Sequence, residues 1–168
     1  HDVIRIAARP TTDPRFAALE TRRFGTTSGS VGLAVPFAHG VSLATSVARA
    51  FRAPTVEELW SNGFHAAVNS FDVGTPTLRP ELATGGDVVL RVQRRGGFAQ
   101  LAAHGTSFDG YVLPLVGRDT VLGGADTVPI VGFGQVAARL AGAELSGEAQ
   151  VGRRLVIGGV ADVVRGRG

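Results

Sequence analysis

The chain has 168 residues, enough for one ordinary domain, with 17 basic and 14 acidic side chains and a net charge of +3. Hydrophobic residues make up 44% and charged ones only 18%, which excludes strong disorder. The absence of cysteine excludes disulfide scaffolds, zinc ribbons, iron–sulfur centres and cysteine enzymes. Every basic residue is an arginine, so a small surplus with no lysine or cysteine to titrate lifts the pI near 10.9 by itself. The arginines are scattered, and their largest clusters are the pairs Arg22-Arg23, Arg94-Arg95 and Arg153-Arg154. Nucleic-acid binding needs a basic stripe that tracks phosphates, and none is present.

In chain order, the first alternating segment is Val3–Arg9, where Ile4, Ile6 and Ala8 oppose Arg5 and Arg9. Ser28–Val35 sets Val31, Leu33 and Val35 against Ser30, Gly32 and Ala34, and Val41–Val47 sets Leu43 and Val47 against Ser42, Ala44 and Ser46. A short helix is expected only around Pro54–Trp60, where Pro54 suits a first turn and Glu57 and Glu58 sit near the positive end. Thr84–Gln93 opposes Val88, Leu90 and Val92 to Asp87, Arg91 and Gln93, and Phe98–Phe108 alternates more weakly. Ala141–Val151 opposes Ala143, Leu145 and Val151 to Glu144, Glu148 and Gln150; Leu155–Arg165 opposes Ile157, Ala161 and Val163 to Asp162. Period two is the signature of strands.

The expected fold class is therefore all-β: an antiparallel up-and-down meander of about seven strands, many near the length that crosses a bilayer at a tilt. The connections alternate in length. Pro36–Gly40, Arg94–Gly97 and Gly152–Arg154 are tight turns; Pro10–Thr27, Ala53–Ala83 and Leu113–Pro129 are long loops. A meander sends every second connection to the same end, so short turns share one end and long loops the other, as in outer-membrane barrels. A soluble β-sandwich also has alternating strands. Long strands, loops polarised by length, and Asp87, Arg91, Glu144 and Glu148 inside strands favour the barrel with a wet lumen.

Four motifs sharpen this. Arg49-Ala-Phe-Arg-Ala-Pro-Thr-Val-Glu-Glu-Leu59 closes one strand, and Gly74-Thr-Pro-Thr-Leu-Arg-Pro-Glu81 opens the next. Ser107-Phe-Asp-Gly-Tyr-Val112 and Leu140-Ala-Gly-Ala-Glu-Leu145 follow. Together, in this order, they resemble the barrel of TonB-dependent outer-membrane receptors, with Gly110 in place of an acid. The resemblance implies an N-terminal plug inside a barrel of about 22 strands. Residues 1–168 are then expected to be a partial barrel domain, with the plug and the remaining strands absent from it.

The implied function is an outer-membrane receptor that takes up a scarce ligand, such as a metal ion or siderophore–metal complex, using energy from the inner membrane. The implied partners are outer-membrane lipid, a TonB-type energy-transducing complex acting through the plug, and a small ligand such as a metal chelate. No cofactor and no nucleic acid is implied, and the expected localisation is the outer membrane of a Gram-negative type cell. A passive porin-like or adhesin-type barrel without a plug remains the alternative.

Arg52, Glu57 and Glu81 are charge candidates: the Arg52 fork suits a carboxylate partner inside the barrel, or these residues only fix loop geometry. His65, Asp72, Trp60 and Asn69 are ligand-contact candidates in the long loop. His65 and Asp72 carry metal-ligating groups, although one histidine and one aspartate fall short of a ligand set. The alternative is a histidine packed on Trp60 or Phe64. Enzyme readings find no nucleophile motif, and no catalytic residue is expected.

Overall fold

The computed structural model describes residues 2–7, 14, 20–121 and 127–168. In chain order its elements are β1 (Asp2–Ile6), β2 (Arg22–Thr26), β3 (Gly29–Pro36), a 3-10 turn (Ala38–Gly40), β4 (Val41–Arg52) and α1 (Val56–Trp60). Then come β5 (Asn62–His65), β6 (Ser70–Val73), β7 (Glu81–Arg94), β8 (Gly97–Val121), β9 (Thr127–Val151) and β10 (Leu155–Arg167). The main sheet runs β3-β4-β7-β8-β9, and β10 pairs β9 antiparallel. It is an open, nearly all-β meander, as the alternation predicts.

Three details depart from the sequence reading. Among the described residues β1 pairs with β2 in a separate two-stranded sheet, so Asp2–Ile6 does not join the main one. The expected loop Leu113–Pro129 is mostly strand: β8 runs to Val121 and β9 starts at Thr127, with residues 122–126 outside the described residues. Pro114 and Pro129 lie inside these strands: a proline removes one donor only, and a strand passes through where that N–H is not needed. Within the long loop, β5 and β6 form a hairpin, and β6 pairs parallel with β9 through Phe71↔Ile130 and Asp72↔Val131.

The chain divides into two compact units, one of residues 28–50, 83–108 and 138–168, the other of residues 1–27, 51–82 and 109–137. The first unit is wall. Directly paired residues of antiparallel strands share a face. Across β3 and β4, Val31↔Val47, Leu33↔Thr45 and Val35↔Leu43 share one face, and Ser30↔Ala48, Gly32↔Ser46 and Ala34↔Ala44 the other. Ser46 Oγ donates to Asp87 Oδ2, which carries the polar face onto β7. Arg91 donates to Gln100 Oε1 (3.4 Å) and lies over the Phe98 ring at 4.4 Å, which carries it onto β8. A Cβ at Gly142 would meet the His104 ring, and Asp162 stands opposite Glu144, so the face continues across β9 and β10.

One face therefore gathers Asp87, Arg91, His104, Glu144, Glu148 and Asp162. The other gathers Leu33, Leu43, Leu90, Leu145 and Ile157. On β9 the apolar face runs from Ala141 to Val151. Ten steps cover about 33 Å at about 3.3 Å per residue, or about 25 Å of membrane at a tilt of about 40°.

This face assignment is tested by arginine scanning. Leu90→Arg, near the middle of the apolar belt, should destabilise the membrane-inserted full-length protein by about 2–4 kcal/mol. Glu144→Arg, on the polar face opposite Asp162, should cost much less and gain an opposite-charge neighbour. Denaturant titration in liposomes reads both; equal costs would mean the faces are reversed.

Candidate functional site

The second unit is built around a charge clamp. Thr55 caps α1: its hydroxyl accepts from Glu58 N (3.2 Å), while Glu58 Oε2 accepts from Thr55 N (2.8 Å). This reciprocal capping box stabilises a helix of only five residues. It also holds the Glu58 carboxylate where Arg52, the last residue of β4, reaches it. Arg52 Nη1 donates to both Glu58 oxygens (3.1 and 2.9 Å), and Nη2 donates to Glu81 Oε2 (3.1 Å). Glu81 Oε2 also accepts from Val112 N (3.1 Å), so one carboxylate joins the start of β7 to β8.

The Arg52 pKa is raised, first by its hydrogen bond to Glu58 and against desolvation, which works the other way; Glu81 adds to the rise. A raised basic pKa means the contact stabilises wherever arginine is charged, which covers every physiological pH. Both carboxylates are largely buried, while the arginine is 41% exposed.

Of the predicted charge residues, Arg52 and Glu81 meet here. Glu57 does not join them; it is exposed in the first turn of α1, and its carbonyl accepts from Ser61 N (3.0 Å). Glu58, rather than its neighbour, is the second carboxylate on Arg52. The signal was present as Thr55-x-x-Glu58, the capping-box spacing that orients the fourth residue back toward the strand.

Beside the clamp lies an apolar core of Phe24, Leu59, Leu78 and Val112, with Ile6, Ala53, Trp60 and Phe133 packed against it. Trp60 thus belongs to the packing that anchors the loop. Arg22 donates to the Pro76 and Leu78 carbonyls and lies 5.3 Å from the Phe24 ring centroid, tying β2 to the loop. Gly74 N donates to Ser61 O (2.7 Å) and Thr75 N to Glu58 O (2.8 Å). A Cβ at Gly74 would come within 2.3 Å of Trp60 N, so only glycine fits this approach. The Gln135 amide takes both backbone groups of Arg79, accepting from its N–H and donating to its carbonyl, at 2.9 Å each. Its Nε2 also donates to Gly110 O (2.8 Å), and a Cβ at Gly110, where φ is +71°, would collide with that nitrogen.

The β5–β6 hairpin carries the remaining candidates. His65 Nδ1 lies 2.9 Å from Asp72 Oδ2, and Ser70 Oγ donates to Asp72 Oδ1 (2.6 Å). Both Asp72 oxygens are thus engaged within the hairpin. The His65 ring is half exposed, while Ser70 is buried. Asn69 ends the hairpin turn at φ +50°, a left-handed position that asparagine tolerates. Among the described residues no group of three or more histidine and carboxylate side chains converges as a metal site. Ser70 bonds to Asp72 rather than to His65, so these three do not form a nucleophile relay.

The model of the TonB dependent receptor-like β-barrel matches residues 5–163. The chain belongs to this family. Among solved structures, the copper transporter OprC superposes with a TM-score of 0.72 at 20% identity, covering 94% of this chain and 22% of that one. The siderophore receptor PirA from Pseudomonas aeruginosa gives 0.69 at 16% identity, covering 87% and 30%. The Serratia marcescens hemophore receptor HasR, solved with its hemophore and heme, gives 0.64 at 22% identity, covering 79% and 21%. At these identities the likeness is one of fold, and the TonB-dependent receptor segment described here spans less than a third of each relative's length. A search of curated protein sequences gave no match.

Arg52→Gln should loosen the loop by about 1–2 kcal/mol, since charged hydrogen bonds are lost but the arginine is partly solvated. Amides of residues 56–80 should then exchange about tenfold faster in hydrogen-exchange mass spectrometry, with β10 unchanged. Gly74→Ala should loosen the same segment by about 1–3 kcal/mol, because the colliding atoms are backbone.

Proposed function

We propose that this chain forms part of the wall of a receptor in the outer membrane of a Gram-negative type cell. The receptor takes up a scarce metal-containing ligand, with energy relayed by a TonB-type complex through a plug domain. The observation that carries this reading is the clamped loop of residues 53–80, which presents the His65 ring on an ordered hairpin. A passive pore or adhesin needs no such fixed histidine. With Nδ1–H donated to Asp72, Nε2 keeps its lone pair and the ring is held in one orientation. A carboxylate behind an imidazole is the arrangement that orients metal-ligating histidines. Asp72 then supports the donor instead of being a second ligand. One protein donor suits a metal that arrives already chelated, which needs a single exchangeable position filled, better than a bare ion, which needs a full set.

The test uses cells lacking the receptor and carrying the full-length gene. Uptake of labelled zinc, copper and ferric chelates is measured with and without a protonophore. An energised receptor loses uptake when the proton gradient collapses; a porin-like barrel does not. His65→Ala should weaken uptake at pH 7, because the variant lacks the imidazole donor. Uptake by the variant equal to wild type would leave the receptor reading standing and remove the metal contact.

A further inference from the structure

The polar face of the wall changes character between β9 and β10. On β9 it reads Gly142, Glu144, Ser146, Glu148 and Gln150, and directly opposite on β10 stand Val164, Asp162, Val160, Gly158 and Val156. Paired residues share a face, so Val156, Val160 and Val164 lie on the side that carries Glu144, Asp87 and His104, away from Leu145 and Ile157. All three valines are more than half exposed. Over residues 155–164 β10 is therefore apolar on both faces, with Asp162 the exception. A strand between lipid and a water-filled lumen alternates instead, as β9 does.

The remainder of this face satisfies its polar groups across strands. Ser46 on β4 donates to Asp87 on β7, and Arg91 on β7 donates to Gln93 (3.0 Å) and to Gln100 on β8 while lying over the Phe98 ring. These bonds lie within the wall and need nothing from the lumen. A body that parts from this sector is replaced by water at little cost. A body that parts from Val156, Val160 and Val164 leaves apolar surface wet. The inner face thus has a side that holds and a side that releases. An exposed apolar stripe of this kind marks a contact surface. Its occupant must reach the inside of the barrel, and each solved relative has more than two thirds of its length outside the matched segment, ample for an inner domain.

We propose that the plug domain of the full-length receptor seats on the β10 valines and stays there during transport, while the passage for the ligand opens along the polar sector of Asp87, Arg91, Gln100 and His104. The inference rests on the receptor reading above. A pull on the plug separates the weaker contact first, so the seat stays dry and the passage fills with water. A hydrophilic chelate then moves along groups that can hydrogen-bond to it.

The test places the photocrosslinker p-benzoylphenylalanine at Val160 or, on the polar sector, at Gln100 of the full-length receptor in cells. After irradiation the crosslinked peptides are mapped by mass spectrometry, and uptake of labelled ferric, copper and zinc chelates is measured. Position Val160 should capture plug peptides and leave uptake within about twofold of unirradiated cells, whereas irradiation with the crosslinker at Gln100 should lower uptake at least about fivefold. Val164 takes the place of Val160 if that variant fails to insert. Capture of an extracellular loop or a second copy instead of the plug overturns the seat, and so does no capture. Uptake lost at Val160, or retained at Gln100, overturns the passage. Failure of the receptor reading is seen separately, as absent or protonophore-insensitive uptake in cells carrying the unmodified receptor.

Discussion

A slip of one residue in any wall hairpin would turn Val88 and Leu90 to the side that now holds Asp87 and Arg91. The register of the wall is therefore the constraint on which the rest depends. Side chains enforce it at several points. Ser46 on β4 meets Asp87 on β7, Arg91 on β7 meets Gln100 and Phe98 on β8, and Gly142 on β9 makes room for His104. Each contact sits on the polar face and would be lost by a single-residue slip. On the apolar face Thr45 Oγ1 donates to the Asp87 carbonyl (2.9 Å), but the leucines and valines are interchangeable in kind, and registration falls mainly to the other side.

The second unit solves a different problem. A segment of nearly thirty residues between β4 and β7 must be ordered without a wide sheet to hold it. It uses one arginine, two carboxylates and a small apolar core. The capping box turns Glu58 toward Arg52, and Arg52 brings Glu81 into the same group. Around this, Gln135 holds Arg79 by both backbone groups, and the short parallel bridge of β6 to β9 steadies the hairpin that carries His65. Packing and charge act on the same few residues, which is why Trp60 serves the core.

What could be read from the sequence was local. Alternation over eight or ten residues placed Leu33, Leu43, Leu90, Leu145 and Ile157 together, because period two needs no knowledge of distant partners. The helix at Pro54–Trp60 was readable for the same reason. The choice between Glu57 and Glu58 turned on which carboxylate faces β4, and that follows from cap geometry rather than from the presence of two acids. The full length of β8 and β9 was not legible, because whether residues 113–121 continue a strand depends on the neighbouring strand that pairs with them. The β6–β9 bridge, joining residues nearly sixty positions apart, and the departure of β1 from the main sheet are tertiary choices that leave no local periodicity.

The clamp has a consequence for how such a wall can diversify. Arg52 and Glu81 fix the two ends of the intervening segment against each other, whatever lies between them. The entropy of closing a flexible loop grows only with the logarithm of its length, about 0.6 kcal/mol for each doubling. Residues 66–69, the turn between β5 and β6, can therefore lengthen, shorten or change composition at small energetic expense while β4 and β7 stay in register. A wall of this kind can change the tip of this loop without disturbing the strands whose register holds it.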